Sequence, residues 1–214
     1  MTVEDTILVG GGVLLVILLI QLARKQFYRS LPLFFSYQVW CLSSTATGGL
    51  AASLPGAEYF RYYLASIAVD AVFQLAVLYE VTRVVARHNR KDPPSWRLFA
   101  LLLIPEGLLL GSLSRWPVPG GITELGILLV RVQQTLPILL LAILLTVVCW
   151  SRFQSLHWPD PVLHVASGLG FYFLVGLTIA IVHTHQAPGE GYHMADEVQA
   201  GSYIGVLVYW IWRL

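Results

Sequence analysis

The sequence predicts an all-α, polytopic integral membrane protein of seven transmembrane helices, with the N-terminus outside and the C-terminus cytoplasmic. Three observations predict it. Of the 214 residues 57% are hydrophobic and only 12% charged, about half the charged share of a soluble domain, and the mean hydropathy is +0.70. The apolar residues come in blocks near the roughly 20 residues that a helix needs to cross a bilayer. Basic residues collect on alternate connections: Arg24, Lys25, Arg29, Arg83, Arg87, Arg90, Lys91, Arg97, Arg152 and Arg213 on one side, against Arg61, Arg115 and Arg131 elsewhere. That asymmetry places the first group in the cytoplasm.

Seven spans follow in order: Thr6–Ala23, Leu31–Leu54, Tyr62–Val85, Leu98–Ser114, Ile122–Trp150, Pro161–His183 and Gln199–Trp212. The opening Met-Thr-Val-Glu-Asp lacks the basic start of a signal peptide, so the first span is expected to be retained. It carries no charge between Asp5 and Arg24 and is expected to be peripheral. The second begins near Pro32, suited to a first helical turn, and its small residues from Ser43 to Gly49 predict close helix packing. The fourth carries Pro105-Glu106 at its centre, where a kink is expected. The fifth is long and carries Glu124, Arg131, Gln134 and Pro137. The sixth has glycines at 168, 170 and 176, again a close-packing signal. Short connections make consecutive spans antiparallel neighbours in a single domain over residues 1–214. Cys41 and Cys149 both fall in apolar spans and are expected to be buried small hydrophobes.

The third span holds an acid near its middle. Ser66, Asp70 and Gln74 recur at i, i+4 and i+8, on one face of a helix, and that face cannot look at lipid, because a carboxylate at mid-bilayer costs roughly 2.5–3.5 kcal/mol on insertion scales. Counting from the span ends puts Asp70, Glu106 and Arg131 in one layer, roughly 12–15 Å below the outer surface at about 1.5 Å per residue. Together with Gln74 and Gln134 they form the candidate ligand- or ion-binding cluster. An arginine between two carboxylates lowers the burial cost of each. The competing reading is a buried pair that only fixes helix register.

The outer stretch from His183 to Glu197 is expected to be a loop. Its His183, His185 and His193 are residue types that bind zinc or copper, though their spacing matches no metal motif, so they are weak metal candidates and otherwise a pH-responsive loop. Haem is disfavoured, since only His88 and His164 approach a two-histidine arrangement, both at the cytoplasmic edge. Retinal is excluded because Lys25 and Lys91 both lie in loops. Glu80 and Arg83 are read as an ion pair at the inner end of the third span, followed by a basic loop through Arg97 that faces lipid headgroups or a cytoplasmic partner. A net charge of +1 gives no reason to expect nucleic acid.

No nucleophile motif, metalloprotease helix, phosphate loop or Cys-x-x-Cys occurs in the sequence. The expected function is therefore non-enzymatic: a sensor or receptor-like module of the plasma membrane, or a membrane subunit of a larger complex, with no cofactor. The alternative is a small transporter or proton pathway that uses the Asp70 cluster.

Overall fold

The computed structural model describes residues 3–51, 53, 55–88, 124–185 and 190–214, and the side chains of 3–8, 50, 57, 124–134, 182–185 and 190–196 lie outside that description. Among the described residues the chain forms seven α-helices and no strand: α1 (Val3–Arg24), α2 (Phe27–Ser30), α3 (Pro32–Ala51), α4 (Gly56–His88), α5 (Glu124–Phe153), α6 (Asp160–His185) and α7 (Glu190–Arg213). Among the described residues three stretches are long and apolar enough to cross a membrane, Glu58–His88, Thr135–Phe153 and Asp160–Ile181. The expected span Leu98–Ser114 falls outside the described residues.

Two compact units divide the chain, Met1–Val81 with Tyr203–Leu214, and Thr82–Ser202. In the first, α1 packs along α3 through Leu15, Leu18 and Leu22, all buried at helical spacing. Its opposite face shows Val9, Val13, Val16, Ile17 and Ile20, an apolar stripe that a bilayer would cover. The first span is nevertheless more than peripheral: Gln21 Nε2 donates to the Ile211 carbonyl at 2.9 Å and Lys25 Nζ donates to the Leu214 carbonyl. The first of these is an orphan carbonyl of the last turn of α7, and Leu214 is the residue that follows the helix. The two bonds advance together along both chains, so α1 and α7 run parallel and end side by side.

Between α3 and α4 the contacts advance in opposite senses, from Thr47 Oγ1 on Tyr62 Oη at 2.6 Å, through Trp40 stacked on Phe73, to Glu80 at the first turn of α3. They form an antiparallel hairpin. Pro32 is the first residue of α3, where its missing N–H is no loss. The next two N–H groups are orphans by construction. Both are taken by Glu80, whose Oε1 accepts from Leu33 N and Oε2 from Phe34 N, each at 2.9 Å. The expected Glu80–Arg83 surface pair is thus replaced by a buried cap across 46 and 47 residues of sequence. Among the described residues nothing stands within 4 Å of a Cβ built on Gly48 or Gly49, so no close approach of the kind the small-residue run suggested is seen at these two positions. The hydroxyls of that run bond back to their own helix, as Ser43 to Val39 and Thr45 to Cys41, and Thr47 also reaches Tyr62 on α4.

In the second unit α5 and α6 pack as a pair. Here the glycines do admit close approach: a Cβ on Gly170 would stand 3.0 Å from Leu144 Cδ2, and one on Gly176 would stand 3.4 Å from Pro137 Cβ. The helix α5 ends in a Schellman motif, with Leu156 N on Ser151 O at 2.8 Å, Ser155 N on Arg152 O at 3.0 Å, and Ser155 in the left-handed region at φ 49°. Cys41 is buried as expected, but Cys149 is exposed. The hydropathy of a span does not reveal which way each residue faces.

The last two helices differ most from expectation. The stretch read as an outer loop is largely helical, because α6 continues to His185 and α7 begins at Glu190, leaving residues 186–189 between them. A helix does not stop where its apolar run stops. Beyond its first four N–H groups a helix bonds its own backbone, so α7 can begin in a polar stretch.

Candidate functional site

Asp70 sits midway along α4 and is half-buried. Gln74, one turn later, turns its amide onto the same face, and its Nε2 donates to Asp70 Oδ2 at 2.5 Å. The i, i+4 stripe thus closes as an actual hydrogen bond. The same amide reaches Tyr37 Oη on α3 at 3.1 Å, and Tyr37 also hydrogen-bonds the Asp70 carboxyl. One turn further along α3, Cys41 meets the hydroxyls of Tyr37 and of Tyr203 on α7. Three helices of one unit therefore contribute to a polar layer: an acid, an amide, two phenols and a thiol.

Aromatic rings wall this layer. The Phe73 ring lies 6.1 Å from Trp40, near parallel, and 6.3 Å from Tyr37. Tyr37 is 4% exposed and Gln74 also 4%, so the hydrogen bonds to Asp70 form largely out of contact with the surroundings, where each is stronger than in water. Neutral donors disperse the charge of a carboxylate without adding a second ion. The layer can hold a negative charge or a proton, and its amide and hydroxyls can both donate and accept.

Beside it lies Gln38, fully buried. Among the described residues no hydrogen-bond partner reaches its Nε2 or Oε1. An unpartnered buried amide is costly. Replacing it with the similarly sized Gln38→Leu is expected to stabilise the fold by roughly 1–3 kcal/mol, measured as a shift of the unfolding midpoint in mixed micelles. A loss of stability would show that a partner satisfies the amide.

Of the residues singled out from sequence, Asp70 and Gln74 are brought together as expected. Arg131 and Gln134 lie on α5, their side chains outside the described residues, and Glu106 lies outside them altogether. His183 and His185 stand in the last turn of α6 and His193 in the first turns of α7, again without described side chains. Among the described residues no three His, Cys, Asp or Glu side chains gather as a metal site would need. Sequence reasoning missed Tyr37, Cys41 and Tyr203. The one available signal was that Tyr37 and Cys41 share a helical face at i, i+4 in a span also carrying Gln38. Comparison of the chain with protein-family models, with curated proteins and with solved structures gave no match.

Proposed function

We propose that the protein is a seven-helix, multi-pass protein of the plasma membrane, N-terminus outside, that works as a non-enzymatic sensor or receptor-like module or as the membrane subunit of a larger complex. The observation that carries this reading is the Asp70–Gln74–Tyr37 network inside a helix apolar enough to cross a bilayer. Ionisable groups at such depth are functional candidates by default. Glu106, Arg131 and Gln134 are proposed as further members of the site on the depth count along the sequence alone. Parallel α1 and α7, ending together through Gln21 and Lys25, support an odd number of crossings, as seven spans require. The basic stretch Arg83–Arg97 is the surface offered to a cytoplasmic partner or to headgroups.

The stimulus is a proton or a small polar solute that exchanges with the hydrogen bonds of Asp70. Infrared difference spectra of the reconstituted full chain, taken as the outer medium is acidified or a panel of small polar solutes is added, test this. A change in carboxyl absorption that disappears in Asp70→Asn is expected. If neither acid nor any solute gives an Asp70-dependent change, the sensor reading is lost. Sustained proton flux in the same liposomes would favour the pathway reading instead, and a partner that co-purifies in fixed ratio would favour the subunit form.

A further inference from the structure

A groove of about 730 Å³ runs along the outside of the α5–α6 pair. Its walls are apolar and open outward: Leu145, Leu163, Phe171 and Leu174 are each between 43% and 54% exposed along it. Apart from Ser167, its polar groups gather at one end, where the Schellman turn of α5 meets the start of α6. There the groove is bounded by Arg152, the last basic residue of α5, and by Asp160, the first residue of α6. Trp158 is pinned between them by its Nε1, which donates to Ser151 Oγ at 2.9 Å. An indole held at a helix corner beside charged groups is the arrangement found at the headgroup level of a bilayer.

The dimensions fit one leaflet. From Leu141 to Arg152 the groove follows α5 for about 16 Å, at about 1.5 Å per residue. Half the hydrocarbon thickness of a bilayer is about 15 Å. Gly170 keeps the floor open, since a Cβ there would press on Leu144. The charges at the mouth are one of each sign. A purely anionic headgroup would answer Arg152 and be repelled by Asp160, whereas a zwitterion answers both.

We propose that this groove is a binding site for a single zwitterionic glycerophospholipid with a primary ammonium, of the phosphatidylethanolamine kind. Its phosphate lies at Arg152, its ammonium at Asp160, and an acyl chain fills the trough between α5 and α6. A planar guanidinium matches phosphate oxygens in pairs. A primary ammonium keeps three donors for a carboxylate, which a trimethylated headgroup lacks. The inference rests on α5 and α6 being membrane spans and is independent of the Asp70 site.

Native mass spectrometry of the delipidated full chain, offered equal amounts of phosphatidylethanolamine, phosphatidylglycerol and phosphatidylcholine, tests it. Retention of phosphatidylethanolamine about ten-fold above both others is expected, the worth of one charge-assisted hydrogen bond. Asp160→Asn should reduce it to the phosphatidylcholine level, and Arg152→Ala should lower retention of all three lipids, since each carries the phosphate; both positions are exposed, and unfolding midpoints should be unchanged. Ser167→Trp, which places a ring in the trough, should lower retention of all three lipids. Equal retention of the three, preference for phosphatidylglycerol, insensitivity to both charge variants, or a dimer that excludes lipid would each overturn the proposal.

Discussion

Glu80→Ala is expected to lower the stability of the folded chain by roughly 2–5 kcal/mol, since one buried and one part-buried N–H group would lose their acceptor at about 1–3 kcal/mol each. Glu80 is 6% exposed, and the groups it holds belong to Leu33 and Phe34, the second and third residues of α3. They can find no substitute inside their own helix. The carboxylate also lies at the positive end of the α3 dipole, which adds to the effect. Glu80→Gln should cost less, because one amide oxygen still accepts while the amide nitrogen opposes the second N–H. Arg83→Ala is the control: Arg83 is exposed, and surface pairs contribute at most about 1 kcal/mol. The measurement is the fraction folded against denaturing detergent in mixed micelles. A loss from Arg83→Ala as large as that from Glu80→Ala would restore the surface ion pair and remove the cap as the main role of Glu80.

How much of this was legible in the sequence follows from the range of each interaction. The helical class, the long helix α5 and the Asp70–Gln74 pair all rest on spacing within one helix, and hydropathy and the i, i+4 rule read such spacing directly. The close approaches at Gly170 and Gly176 were legible for a related reason, since a glycine pattern on an apolar span has few other uses there. The Glu80 cap was not, because its partners are backbone N–H groups of another helix, and backbone carries no residue signature. Tyr37 was hidden in a different way. In an apolar run a tyrosine reads as bulk, and only the facing helix shows that its hydroxyl completes the network of Asp70. The run of small residues in α3 is less informative for the converse reason: small side chains permit close packing without requiring it, and among the described residues nothing stands within 4 Å of a Cβ at Gly48 or Gly49.

The second large effect is expected at Trp210, buried to 1% on α7, with its ring meeting Phe34 edge-on at 5.0 Å and 84°. Trp210→Ala removes that contact and leaves a cavity beside Phe34, for which roughly 3–5 kcal/mol is the expected cost. Phe34 links this site to the cap, because Glu80 holds its N–H and Trp210 holds its ring. The two losses should therefore not add. Once the first turn of α3 is released, the Phe34 ring is less well placed and Trp210 has less to pack against. A double-mutant cycle should show the combined variant losing less than the two single losses together, by about 0.5–3 kcal/mol. If the losses add within about 0.3 kcal/mol, the ring and the backbone of Phe34 are held independently, and the first turn of α3 is not the joint between α4 and α7 that the geometry describes.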